Sequence, residues 1–211
     1  MEHQQIPVSN WASHWHIGYT LIFCILGIII PIYFLGPISL IQYLTIPLSF
    51  LFRHFIEYFV HKEPLHYRYR GLAPLFDLHM LHHDYFDHKN YQITKYADMS
   101  MVVFPPIVLN MITLTLTPVF LILRAFSLNV ALLFVITIMA YYLVMQVTHA
   151  TSHVREGHWL LRIPGLHYLW VHHYIHHDKK LMSKWNFGFV VPWSDIVMKT
   201  NTLDVTLVDN K

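Results

Sequence analysis

The chain has 211 residues, 55% of them hydrophobic and 12% charged, which fits one domain and excludes a disordered chain. Its 14 Lys and Arg against 12 Asp and Glu leave a formal charge of +2, without the basic excess that phosphate backbones reward, so no nucleic acid partner is expected. The single cysteine, Cys24, excludes an intramolecular disulfide and any Cys-x-x-Cys metal or redox motif.

In chain order, residues 1–16 read as a leading segment without Lys or Arg, in which His3, His14 and His16 are interfacial or solvated. Residues 17–35 carry no charge and are long enough to cross a hydrocarbon core about 30 Å thick. With no basic residue before them and no small-x-small site after, they do not form a signal peptide. Gly36-Pro37 breaks this helix and a second apolar arm returns over 38–52, continuing into the more polar segment after Arg53, which gives a first transmembrane hairpin over 17–52. A polar, histidine-rich segment occupies 53–98, a second hairpin 99–147, turning near Arg124, and a second histidine-rich region 148–211. Pro47, Pro105, Pro106 and Pro118 are expected kinks. Thirteen of the 14 Lys and Arg fall in 53–100 and from 148 onward, which places those segments and the amino terminus on the cytoplasmic side, in the endoplasmic reticulum or a bacterial inner membrane. Trp11, Trp15, Tyr19, Trp159, Tyr168, Trp170, Trp185 and Trp193 flank the apolar runs and read as an interfacial aromatic belt. The sequence shows no internal repeat.

Histidine occupies 18 positions, more than packing or charge calls for in an ordinary domain, and all 18 lie outside the apolar runs. Ten of them form four clusters: His61-x4-His66, His79-x2-His82-His83, His149-x3-His153 and His173-x2-His176-His177. Side chains at i, i+3 and i+4 share a helix face; His61 and His66 do not, and Pro64 between them requires a bend or a helix end. At this histidine frequency a random chain would hold about 0.13 H-x2-HH matches, and this one holds two. Neutral imidazole suits iron, zinc, copper or nickel, and ten are too many for one ion. Two ions with about five histidines each would leave an open position on a six-coordinate metal, where a structural zinc would close at four. The lack of thiolate ligands favours oxygen-activating iron over an iron–sulfur cluster, although such a site also accepts zinc on isolation. No H-E-x-x-H, Ser-His-Asp order or Gly-rich phosphate loop is present, so electrons must come from elsewhere. The expected fold class is an all-α integral membrane protein: four transmembrane helices with a cytoplasmic helical cap that carries a histidine-rich dimetal site.

The run from Glu57 through His61 and His66, His79/His82/His83, Val103-Phe-Pro-Pro106, Thr148-His149-x3-His153, His173-x2-His176-His177, and Asn186-Phe-Gly-Phe through Trp193-Ser-Asp195 to Thr200 resemble the membrane fatty acid hydroxylase and sterol desaturase superfamily. The resemblance covers about 53–200, and the spacing within clusters is nearest to that of the fatty acid 2-hydroxylases. It implies a dinuclear metal centre held by His61, His66, His79, His82, His83, His149, His153, His173, His176 and His177, with O2-dependent insertion of a hydroxyl group into a long acyl chain. Relatives that carry a cytochrome b5 domain place it ahead of the membrane part. With 16 residues before the first run, a separate electron-transfer protein is expected here. The first and second clusters lie closer together than in that subgroup and residues 84–98 form a longer stretch, which bears on substrate identity.

Glu57, one turn before His61, and His54, two turns before it, are expected to orient ligand imidazoles, with Asp84, Asp178 and Asp195 as weaker candidates. His88, His158 and His167 read as surface or packing residues. His172-x3-His176 is also helix-compatible, and His173 is taken over His172. Competing functions are desaturation or hydroxylation of a sterol or carotenoid at the same kind of centre, and a membrane protein that binds metal without catalysis.

Overall fold

The computed structural model describes residues 8–208, within which every regular element is helical; His3 lies outside the described residues. Helix α1 spans Asn10–Tyr33. It starts inside the stretch expected to precede the membrane, because the Ser9 side chain accepts from the Ala12 N–H at 3.0 Å and satisfies one of the free amides of the first turn. After Gly36-Pro37 the chain does not resume α-helix until α2, Thr45–Lys62, so the second arm begins seven residues later than expected and runs ten residues further. Helix α3 is Ala73–Tyr85, α4 the single turn Met99–Val102, α5 Pro106–Phe126, α6 Leu128–Ser152, α7 Leu166–His176 and α8 the short Trp193–Val197.

Among the described residues, three stretches are long and apolar enough to cross a membrane: Asn10–Tyr33, Tyr96–Phe126 and Leu128–Ser152. Helix α2, with Arg53, Glu57 and Lys62 in its second half, is not among them. Of the prolines expected as kinks, Pro47 sits in the first turn of α2, Pro105 caps α5 and Pro106 opens it, where a missing N–H costs nothing. Of these four, Pro118 alone lies in a helix interior, and Pro31, not among them, lies inside α1. The α5–α6 reversal falls at Ser127 rather than at Arg124: its N–H closes α5 on Leu123 at 2.8 Å and its hydroxyl caps α6.

Helix α6 is the central element and packs against α1, α2, α5 and α7. Ile22, Ile29, Leu114, Leu121 and Ile122 of α1 and α5 are exposed, as side chains facing lipid are. The apolar core runs from Cys24, Phe134 and Ile138 through Tyr142 and Met145 to Phe189 and Val190, so it leads from the membrane-spanning part into the histidine-rich end. Trp11, Trp15, Trp159 and Trp193 are exposed, as a belt requires, whereas Trp170 is buried.

Helices α1 and α6 touch at Gly27, where an added Cβ would lie 2.8 Å from Met139 Cγ. Gly27→Val is therefore expected to cost about 1–3 kcal/mol by overpacking and to lower the melting temperature of the detergent-solubilised protein. Gly18→Ala meets nothing within 4 Å and should leave it unchanged or higher.

Candidate metal centre

Four segments carry the ten clustered histidines. Helix α2 ends just after His61, and the turn enforced by Pro64 folds His66 back beside it, their ring centroids 5.2 Å apart. Helix α3 carries His79, His82 and His83, α6 carries His149 with His153 as its cap residue, and α7 with its cap residue carries His173, His176 and His177. Helix α7 can start sharply because Gly165 takes a φ of 88°, a left-handed conformation that a side chain would disfavour.

The rings gather into two groups of five. One holds His61, His66, His79, His83 and His176; the other holds His82, His149, His153, His173 and His177; within each, all ligand atoms lie within 4.8 Å of one another and every residue is buried. The division cuts across the clusters. Each H-x2-HH triple gives its first and third members, on one helix face, to one group and its middle member to the other. The two helix-end pairs divide likewise, His61/His66 to the first group and His149/His153 to the second. Segments α2–α3 and α6–α7 are thus equivalent in ligand order, a duplication that the sequence, read without coordinates, does not reveal.

Within the first group, Nε2 atoms approach at 3.1 Å (His61 and His79), 3.0 Å (His66 and His176), 3.1 Å (His66 and His79) and 3.0 Å (His79 and His83). Within the second, the separations are 3.2 Å (His82 and His177), 3.3 Å (His82 and His149), 3.1 Å (His153 and His173) and 3.0 Å (His173 and His177). With metal–nitrogen bonds of about 2.1 Å, neighbouring ligands lie about 3.0 Å apart on an octahedron and about 3.4 Å apart on a tetrahedron. The observed edges fit the former better.

Five imidazoles are locked by backbone carbonyls, which can only accept. His61 Nδ1 donates to Phe187 O at 2.5 Å, His82 to Met101 O at 2.7 Å, His153 to Tyr91 O at 2.8 Å, His176 to Trp185 O at 2.9 Å, and His177 to Phe86 O. In a neutral ring this leaves Nε2 as a bare lone pair. His82 and His177 both stand so, yet their Nε2 atoms face each other at 3.2 Å. Neither can donate to the other, and such a pair is stable only with a cation between them. A proton is a poor candidate at neutral pH, since burial pushes His82 down to about 4 and His177 well below its ordinary value. The donor set therefore fits two metal ions.

The chain matches the model of the fatty acid hydroxylase family over residues 47–200. It belongs to the fatty acid hydroxylase family. That family lies within the membrane fatty acid hydroxylase and sterol desaturase superfamily and is one of oxidoreductases. No curated protein and no solved structure matches the chain.

The carboxylates considered from sequence act at different ranges in this member of the family. Asp195 reaches a ligand through the backbone: Oδ1 accepts from Phe187 N–H at 2.9 Å and Thr200 hydroxyl at 2.8 Å, and Oδ2 from Gly188 N–H at 2.7 Å. It thereby holds the turn whose Phe187 carbonyl fixes His61. Burial pushes the Asp195 carboxyl up, but His172 and these donors together hold it below the usual range. Glu57 accepts from Phe189 N–H at 2.9 Å, one residue pair further along. His54 accepts from Ser194 N–H at 3.1 Å on Nε2, so its Nδ1 donates to the Tyr141 hydroxyl at 3.1 Å; it ties α2 to α6 and α8. Asp178 accepts from Lys180 N–H at 2.8 Å, and Asp84 is exposed in an ion pair with Lys179 at 2.8 Å. His172 joins neither group; its Nε2 lies 3.5 Å from Asp195 Oδ2. His16 meets the Val103 carbonyl at 3.1 Å, while His14 and His167 are exposed and His88 and His158 half-buried.

Sequence reasoning missed the five carbonyls, for which no residue type is diagnostic, and Asp98. Asp98 collects Tyr85 hydroxyl at 2.6 Å and the N–H groups of Thr94 at 2.8 Å and Lys95 at 2.9 Å, setting the start of α4, whose Met101 fixes His82. It also missed Phe104 and Phe189. The Phe189 ring stacks on His61 of the first group at 4.5 Å and reaches His149 and His173 of the second at 4.7 and 5.4 Å. Phe104 meets His149 at 5.6 Å and Phe189 at 6.3 Å.

Asp195→Ala leaves the buried Phe187 and Gly188 amides unpaired, at about 1–3 kcal/mol each. It should weaken metal binding at the His61 group about 10–100-fold in a metal titration, with Asp84→Ala unchanged.

The lowered histidine pKa values also predict an acid limit. Below the ordinary value of 6.5 the unfolded chain takes up protons that the folded one, with His82 near 4 and His176 near 3, refuses. Stability of the metal-free protein should thus be flat above pH 6.5 and fall steadily from there towards pH 3, as thermal melts across that range will show.

Proposed function

We propose that the chain is a membrane-bound, O2-dependent di-iron monooxygenase that hydroxylates a long-chain fatty acyl or related lipid, its residues nearest to the fatty acid 2-hydroxylase pattern. The observation that carries this reading is the pairing of two buried five-imidazole groups within one family member. Five nitrogens leave a six-coordinate ion one open position, which a structural site does not need. Iron held there supplies one-electron chemistry with O2, in the overall sense RH + O2 + 2e− + 2H+ → ROH + H2O. His61, His66, His79, His83 and His176 hold one ion; His82, His149, His153, His173 and His177 hold the other. Backbone carbonyls fix the tautomers of His61, His82, His153, His176 and His177, so these rings act as ligands and not as bases.

Phe104 and Phe189 form an apolar wall over rings of both groups, excluding water on the side continuous with the membrane core. A cleft of ≈ 290 Å³ between α1, α5 and α6, lined by Leu116, Phe120, Phe134, Ile138 and Met139, has the apolar lining that an acyl chain needs. The distribution of Lys and Arg favours four crossings, with α2 completing the first hairpin and both histidine-rich segments on the cytoplasmic side. Electrons arrive from a separate carrier protein.

The test is His149→Ala, expressed in membranes and assayed with 18O2 and lipid mass spectrometry. Iron content should fall and 18O-labelled hydroxy lipid should disappear while the protein stays in the membrane fraction. Full activity in this variant overturns the reading. In the unsubstituted protein, an unsaturated product without label indicates desaturation, and metal bound without O2 consumption indicates a non-catalytic metal protein.

A further inference from the structure

The second imidazole group has an aromatic neighbourhood that the proposed chemistry leaves without a role. Tyr91, 3% exposed, places its ring 4.6 Å from that of His153 and 5.2 Å from that of His177, and its carbonyl fixes His153. Trp170 meets the Tyr91 ring edge-on at 5.7 Å and stacks on Tyr174 at 5.6 Å with the planes 3° apart; Tyr174 also meets Tyr91 at 5.2 Å. All three rings line one cavity of ≈ 900 Å³, whose other walls include Lys89, Gln92 and Glu156. The aromatic neighbours of the first group, Phe187 and Phe189, are buried and do not line it.

We propose that Tyr91, Trp170 and Tyr174 conduct electrons from a one-electron carrier protein seated over this cavity to the metal held by His82, His149, His153, His173 and His177. The inference rests on the oxygenase reading above. Hydroxylation consumes two electrons and each metal would accept them singly, which a one-electron carrier matches. The chain has no phosphate-cradling glycine motif with which to hold a nucleotide or flavin itself. His149, His153, His173 and His177 are 0–2% exposed, so no external redox centre can touch them. Transfer across such a gap weakens steeply with distance, and three polarisable rings in mutual contact shorten it where aliphatic side chains would not. The route also separates the two deliveries: the Phe104 and Phe189 wall covers His149 and His173 on the lipid side, while Tyr91 meets His153 and His177. At each step one electron leaves the carrier, oxidising it by one unit, and reduces a ferric ion to ferrous.

The test attaches a photosensitiser where the carrier is proposed to sit. Glu156→Cys puts a thiol on the exposed rim of the cavity, and Cys24, 0% exposed, does not compete for label. A ruthenium polypyridyl complex on that thiol, with ascorbate to restore it, injects one electron per flash into the iron-loaded, full-length protein, and loss of the ferric absorbance gives the rate. Trp170→Leu should slow this rate by an order of magnitude, Trp170→Phe should restore most of it, and iron content should match the labelled parent. Tyr174→Leu, whose ring contacts are with Tyr91 and Trp170, should slow it as well and carries the test if Trp170→Leu loses iron. Rates in both leucine variants within twofold of the parent overturn the route and leave the oxygenase reading standing. An iron-loaded parent that accepts no electron overturns the oxygenase reading and the route together.

Discussion

Everything in the histidine-rich end follows from one electrostatic constraint: lone pairs on neighbouring imidazoles, held about 3 Å apart away from water, repel unless a cation lies between them. His82 and His177 show it most directly, because each has already given its only proton to a backbone carbonyl. A fold that buries ten such rings without their ions is charged several unfavourable contacts, and His66, His79, His83, His149 and His173 have Nδ1 atoms without a partner as well. Metal binding relieves the first of these costs, so ion affinity and stability of this end of the molecule are linked quantities. The long helices supply the frame that makes the convergence possible, since α6 runs from the lipid-facing core to His149 without interruption.

The exchanged ligand pattern explains why the clusters have the spacings they do. A helix presents i and i+4 on nearly the same line, whereas i+3 falls about 60° to the other side of i. An H-x2-HH triple is therefore wide enough to face two neighbouring ions at once, and two such helices, α3 and α7, suffice to bridge them. His83 and His177, which belong to different groups, stack at 4.2 Å with planes 21° apart. The two groups are thus mechanically one unit: a displacement of either bridging helix moves ligands of both.

How much of this was legible in the sequence depends on what kind of signal each feature leaves. Apolar runs and prolines marked four crossings; three of them are membrane-length helices with shifted ends, because Ser9 extends α1 and Ser127 sets the reversal where hydropathy alone could not. The second arm was harder: the first seven residues of its apolar stretch, 38–44, lie outside α2, and the helix instead runs on through Arg53, His54 and Glu57, all buried. The ten clustered histidines were visible because spacing on a helix is a local property. Which histidine joins which group was not, since that depends on how α3 and α7 face each other. The carbonyls that fix the rings leave no trace in residue identity, and Asp195 looked weaker than Glu57 because sequence proximity to a ligand counted for more than the turn it holds together.

The position of the site between two media has its own physical logic. An apolar wall built from Phe104 and Phe189 is continuous with the core between the membrane-length helices, which keeps water from that side of the rings. On that side a charged or polar group would be costly, and the carboxylates Asp195 and Asp98 spend both oxygens, and Glu57 its Oε1, on backbone N–H groups or hydroxyls. Fixed carbonyl dipoles can orient an imidazole without adding a net negative charge beside an ion already bound by five neutral nitrogens. An ion held by either group would thus keep its full positive charge, and this is the electrostatic reason for carbonyls in place of carboxylates around both groups.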